Sequence, residues 1–357
     1  MTFDYGIVGG FLCGALAGGG ARYGRLCSMS AIEDALVGHD YRGAKAWGFA
    51  VGVAGLATLP LAAAGYADIE ASALLQPRVH LLGIVVGGLM FGLGMTLVGT
   101  CSFGLVVRAG SGDLRALVSA ILVGVFAFAV TSGLLAPVRL WLLGFGNVDL
   151  SPLGVASLDA LLASVIGKAG ATAASVAGFV ALTLLALSDR RLRARPRLMI
   201  AAVMLGLAVA AGWAVTTISV RELASSRIAS LSFVTPFGRV LLQLMTVAFR
   251  EIGFGTSALL GVLLASFAVA AVRRELRWEA FDDPLEMRRH MTGAALMGIG
   301  GVLAHGCTVG QGLTAASALA LTAPVFVIAV LAGAQLGLKL LIEGTALWRL
   351  GFSPRAD

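Results

Sequence analysis

The chain has 357 residues, of which 58% are hydrophobic and 13% charged, with a net charge of +7 and a mean hydropathy of +0.93. Soluble globular domains carry about 25% charged residues, so this composition excludes them and points to a membrane protein. The basic excess then reports on loop topology, and without aromatic–basic interleaving no nucleic-acid partner is expected.

The N-terminal stretch MTFDYG lacks the basic region of a signal peptide, so the apolar segment at 5–21 is expected to stay in the protein. Further segments near the length needed to cross a bilayer lie at 45–65, 80–98, 115–136, 157–187, 198–218, 254–272, 291–304 and 321–342. They do not alternate polar and apolar residues as barrel strands do. Four shorter apolar stretches, 29–37, 101–109, 235–249 and 307–319, each follow a Gly-, Ser- or Thr-rich break. They are expected to be re-entrant half-helices, tolerated at membrane depth only where they are buried or line a cavity. Ser30-x-x-Glu33 reads as a capping box, and Thr235-Pro236 as an N-cap followed by proline. Such helix N-termini favour an anion.

The most informative pattern is a repeat. GGLMFGLGMTLVGTCSFG at 87–104 aligns with GAALMGIGGVLAHGCTVG at 293–310 at an offset of 206. Gly87, Gly92, Gly94, Cys101 and Gly104 then match Gly293, Gly298, Gly300, Cys307 and Gly310. A weaker match, RLCSMSA at 25–31 with SLSFVTP at 230–236, pairs Cys27 with Ser232. The sixth span follows the first by five places, counting the helix at 157–187, and an odd offset turns the second half upside down. The expected fold is therefore an all-α polytopic membrane protein, an inverted repeat of two pseudo-symmetric halves. It has about nine spanning helices and four short re-entrant half-helices. In such architectures the substrate site lies at the repeat interface.

The expected division is a first membrane repeat at 1–150, a linker helix with a basic cytoplasmic loop at 151–197, and a second, inverted repeat at 198–357. Arg22, Arg25, Arg42, Lys45, Arg108, Arg115, the cluster Arg190–Arg197 and Arg273–Arg289 fall on one side of the membrane. Arg78, Arg139, Arg221, Arg227, Arg239 and Arg250 fall on the other. The positive-inside rule makes the first side cytoplasmic, with the N-terminus outside and the C-terminus inside.

The four cysteines, Cys13, Cys27, Cys101 and Cys307, show no C-x-x-C spacing, and with only four histidines no metal site or other cofactor is expected. Cys101 and Cys307 recur at symmetric, glycine-flanked turns, where a half-helix dipole favours a strong S–H donor or thiolate. Small-residue packing is the competing explanation for each. Gly99, Gly104, Gly306 and Gly310 are the helix-break glycines. Cys27 and its mate Ser232 join the candidate path, and Cys13 reads as packing within the first span. His305 is a candidate proton partner and Gln311 a candidate amide donor to a bound anion. Asp282, Asp283 and Glu286 read as a solvated cap. Without a membrane-embedded acidic pair, a carboxylate-driven proton antiporter is disfavoured.

GTCSFG near 99–104, ALMGIGGVLAHGCTVGQG at 295–312, RRELRWEAFDDPLEMRRH at 273–290 and GRLCSMSAIEDAL at 24–36 resemble the YeeE/YedE sulphur-transport family of bacterial membrane proteins. The resemblance covers most of the chain. It implies an hourglass-like inner-membrane importer of thiosulfate or a related sulphur anion, with Cys101, Cys307 and Cys27 along a narrow central path. Some members carry one more cysteine in the second half, whereas residues 228–260 here offer only Ser230, Ser232, Thr256 and Ser257. A hydroxyl then replaces one thiol, or the substrate differs within the class. The alternatives are transport of another sulphur or selenium species, a membrane sulfurtransferase carrying a persulfide, and a scaffold without flux. The transport reading involves no catalytic residue. The chain ends SPRAD soon after its last span, so no soluble carrier domain is expected on it. The family makes a cytoplasmic sulphur carrier or sulfurtransferase a sensible partner beside the lipid bilayer.

Overall fold

The computed structural model describes residues 5–150, 154–223, 228–246 and 253–342. The first half contains α1 (Tyr5–Gly24), α2 (Ser28–Leu36), α3 (Arg42–Ala63), β1 (Arg78–His80), α4 (Leu81–Val98), α5 (Ser102–Gly110), α6 (Leu114–Thr131), α7 (Ala136–Leu143) and β2 (Asn147–Asp149). After α8 (Leu158–Ser188) and α9 (Arg190–Arg193) come α10 (Pro196–Leu223), α11 (Thr235–Thr246), α12 (Phe254–Val272) and α13 (Pro284–Leu303). A π-helical turn at Gly310–Thr314, α14 (Ala315–Ser317) and α15 (Thr322–Ile342) complete the described chain.

Helices form because the apolar runs are rich in Ala and Leu and leave no polar backbone group unpaired in lipid. Among the described residues seven helical stretches are long and apolar enough to cross a membrane. The chain is thus an all-α polytopic membrane protein. α1 and α13 are each 20 residues long but are not among those seven. α13 begins at Pro284, seven residues before the expected 291, because the charged PLEMRRH segment is already helical. All four expected short stretches contain a short helix, although residues 247–249 of the third lie outside the described residues.

Local signals fare unevenly. α11 starts at Thr235 with Pro236 in its first turn, as the sequence predicts. The capping box at Ser30 and Glu33 does not form: α2 begins three residues earlier than that box would place it, with Cys27 at the N-cap position and Ser30 inside the helix. The polar Cys27-Ser28 pair faces other polar groups in the interior, which draws the helix start back to it. The linker helix α8 is kinked at Gly167, where φ is +79° and ψ 161°, a geometry only glycine adopts at little cost.

The packing of α4 on α13 fixes the centre. A Cβ added to Gly87 would lie 2.5 Å from the carbonyl oxygen of Gly300, and one on Gly94 would lie 2.5 Å from that of Gly293. Reciprocally, Gly300 closes on Gly87 O at 2.5 Å and Gly293 on Gly94 O at 2.8 Å. As residue numbers rise along α4 they fall along α13, so the helices run antiparallel. Small residues at these crossings let backbones touch, the main attraction available between helices in lipid. Around this pair, α1 packs on α12, as α10 does on α3, and α4 packs on α15, as α13 does on α6.

The two ends of the bundle differ in charge. At one end Arg115 binds Glu279, Glu286 (3.0 Å) and Asp113, Arg22 binds Glu275 (3.1 Å) and Lys45 binds Asp189 (2.6 Å). At the other, β1 and β2 pair antiparallel and Leu158 N donates to Leu319 O at 2.7 Å.

Candidate functional site: two cysteine-capped turns

Both repeated motifs break their helix in the same way. α4 ends at Gly99, whose φ of +76° lets its N–H close on Met95 O at 2.8 Å. The equivalent residue after α13 is His305, with φ +59°. Two residues later comes the cysteine, and in each turn its sulfur accepts a hydrogen bond from the backbone N–H three residues on. Gly104 N donates to Cys101 Sγ and Gly310 N to Cys307 Sγ, both at 3.4 Å. Cys101 thereby occupies the N-cap position of α5, whereas Cys307 lies two residues before Val309, the N-cap of the π-helical turn. Each sulfur has a lone pair engaged by that backbone N–H and keeps its own S–H. Cys101 is 1% exposed and Cys307 fully buried.

Hydroxyls bridge the two turns. Ser28, at the start of α2, donates to Thr308 Oγ1 at 3.3 Å, and both hydroxyls lie against Cys101. Cys27 Sγ and Thr100 Oγ1 share a hydrogen bond at 3.6 Å. Cys101, Cys27 and Cys307-Thr308 are thereby drawn into one polar cluster within an apolar core. Ser102 heads α5 with its hydroxyl fully buried and without a partner among the described residues. An unpaired buried hydroxyl costs roughly 1–3 kcal/mol, and this one sits at the N-terminal end of α5. The sequence reading passed over Ser28, Thr100, Ser102 and Thr308. Their adjacency to each cysteine, in LCS, TCS and GCT, was the available signal.

The remaining candidates fall on either side of this cluster. Ser230 donates to Val209 O (2.7 Å), Ser257 to Phe254 O (2.9 Å) and Thr256 to Gln243 Oε1 (3.3 Å), so three hydroxyls of the 228–260 region are committed elsewhere. Ser232 carries no hydrogen bond among the described residues and lies against Gly310, in the second turn. Gln311 is buried, and its side-chain oxygen accepts from Thr322 at 3.1 Å. His305 is exposed and stacks on His80, so it does not bond Cys307. Gly306 lies against Gln311, and Cys13 is buried within α1. A recess of about 380 Å³ opens from Cys27 and Ser30 toward the arginine-rich end, past Arg25, Arg42 and Arg197. Asp40 shares its rim, and its hydrogen bonds from Arg42 hold the carboxyl down at about 2, so it stays ionised.

Gly310 tests the closeness of the second turn. A Cβ there would meet Ser232 Oγ at 2.8 Å and Ser232 Cβ at 3.0 Å. Gly310→Ala is expected to cost about 1–3 kcal/mol by overpacking, and Ser232→Gly on top of it to restore most of the loss. Thermal melting of the detergent-solubilised single and double variants reads the coupling.

The family described as sulphur transport matches residues 23–336. The chain belongs to that sulphur-transport family. Two relatives agree over nearly the same span. The thiosulfate transporter TsuA of Escherichia coli (strain K12) is 27% identical over 324 residues, 86% of each chain. The thiosulfate transporter TsuA of Spirochaeta thermophila is 28% identical over 325 residues, covering 88% of this chain and 92% of the relative. Both cysteine turns of this sulphur-transport protein lie inside the matched region.

Proposed function

We propose that this protein imports thiosulfate, or a closely related sulphur oxyanion, across the bacterial cytoplasmic membrane along a path through the two cysteine-capped turns. The observation that carries the reading is the identical Sγ···H–N cap at Cys101 and Cys307, inside a chain that aligns nearly end to end with two thiosulfate transporters. Thiosulfate is a dianion with hard oxygens and one soft, weakly hydrated sulfur. Each thiol keeps its S–H to donate to that sulfur, and the backbone N–H bonded to Sγ polarises it. Half-helix N-termini and the hydroxyls of Ser28, Ser102 and Thr308 meet the oxygens. These bonds are weak and many, and no lysine sits among them, so the anion is held briefly and released.

The two halves, 1–150 and 198–357, form an inverted repeat, with 151–197 as the linker. Antiparallel packing of the motif helices α4 and α13, and the exchange-symmetric packing around them, support this. α1 and α13 join the seven apolar stretches to make nine spans. The arginine-rich end faces the cytoplasm, which puts the N-terminus outside, the C-terminus inside, His305 toward the outer mouth and the recess at Cys27 toward the inner one. A cytoplasmic sulphur carrier or sulfurtransferase is the proposed recipient. A persulfide enzyme would need a base on its thiol, but His305 stacks on His80 instead.

The test is growth of a bacterium lacking its own sulfate and thiosulfate uptake, with thiosulfate as sole sulphur source. Expression of this chain is expected to restore growth. Full membrane expression without growth overturns thiosulfate as the substrate.

A further inference from the structure

At the end of the bundle opposite the arginine network, two imidazoles meet. His80 closes β1 and precedes α4; His305 follows α13. Their rings stack with centroids 6.0 Å apart and planes 16° from parallel. The 20 residues of α13 rise about 30 Å from the Glu286–Arg115 pair to this point, two residues before Cys307. His305 is exposed although its neighbours Ala304, Gly306 and Cys307 are buried, so the chain meets solvent two residues before Cys307.

Three features set His305 apart from a spacer. Its φ of +59° lies in the left-handed region, while the matching position in the first half is Gly99 at +76°. Glycine adopts that conformation without strain, and histidine does not. A strained imidazole at a position where the other repeat uses glycine is kept for its side chain. Next, His80 Nδ1 donates to Leu143 O at 3.1 Å and also contacts Asn147 Oδ1, which fixes the ring, while Nε2 has no hydrogen-bond partner among the described residues. Last, Arg139 on α7 acts electrostatically on His305, and its Nε is buried without a partner among the described residues. The charged groups bearing on His305 are thus His80 and Arg139, both basic. The next charged groups along the strands, Arg78 and Asp149, face each other in the β1–β2 register.

We propose that His80, His305 and Arg139 form an outer admission site for a tetrahedral sulphur oxyanion, whose oxygens the imidazoles and guanidinium bind before the soft sulfur reaches Cys307. This rests on the transport reading above and adds to it a second site, built of nitrogen donors rather than thiols. Protonation of the His305 ring turns it into a charged donor, so the site holds the anion more tightly at low pH.

The experiment has two arms. In proteoliposomes, the KM for thiosulfate is measured from roughly pH 5 to 8 for wild type, His80→Gln, Arg139→Gln and His305→Gly. The wild-type KM is expected to rise with pH. Each variant should raise KM about tenfold at the acidic end, the loss of one charge-assisted hydrogen bond, and His305→Gly should also flatten the profile. His305→Gly removes the left-handed strain, so it should melt no lower than wild type. Unchanged KM and pH profile in all three variants overturns the site and leaves transport standing. In the second arm, melting of purified protein is followed with sodium sulfate or thiosulfate against sodium chloride. Stabilisation by the divalent oxyanions that the variants lose supports the site even where no uptake is seen, in which case it is the transport reading that fails. Equal melting in all three salts overturns the site.

Discussion

Replacing both Cys101 and Cys307 by alanine is expected to abolish thiosulfate-dependent growth while leaving the protein in the membrane. Each substitution removes one S–H donor and the sulfur that satisfies a backbone N–H at the head of a half-helix. A lost donor to a charged ligand is worth about 1.5–3 kcal/mol, so two in series leave uptake down by at least roughly a hundredfold. Cysteine and alanine are both small, so the turns keep their packing. Serine at both positions separates the roles: Oγ can cap the half-helix as Sγ does, yet it is a hard donor poorly matched to the outer sulfur. The serine variant should therefore express like wild type and still transport poorly. Uptake at wild-type rate by the double-alanine variant, measured with radiolabelled thiosulfate at matched membrane levels, would remove the thiols from the path.

The second large effect belongs to the central crossing. Gly87→Val would drive a branched side chain into the carbonyl oxygen of Gly300 and the backbone N of Ala304, with Leu303 Cβ at 2.9 Å. The obstacle is backbone, which no rotamer change relieves. A loss of about 3 kcal/mol or more is expected, seen as low membrane yield and a collapsed melting transition in mild detergent. Gly48→Ala in α3 is the control. A Cβ at Gly48 meets nothing within 4 Å, so the change should be neutral or stabilise by about 0.5–1 kcal/mol through helix propensity. If Gly87→Val melts like Gly48→Ala, the backbone contact between α4 and α13 is not what holds the halves together.

The sequence made the spans legible because lipid imposes one rule, a long apolar helix, and the Gly–Cys motif legible because two copies at one offset stand out in any composition. That repeat even carried the Sγ cap implicitly, since Cys101–Gly104 and Cys307–Gly310 share a spacing. Three things were hidden. Ser28 and Thr308 are 280 residues apart, so their bond could not be read from neighbours in the chain. His80 sits outside both motifs and gains interest only from its stack on His305. The start of α2 was misread because Ser30-x-x-Glu33 satisfies a local rule, whereas the interior contacts of Cys27 and Ser28 decide where the helix begins. Ser232 was one of four comparable hydroxyls, and only the bonds made by the other three single it out.

The interlocked glycines of α4 and α13 bear on energetics as well as on assembly. Two helices in backbone contact at both ends of their crossing resist sliding past one another, because any shift presses carbonyl oxygens into backbone that no rotamer change can move aside.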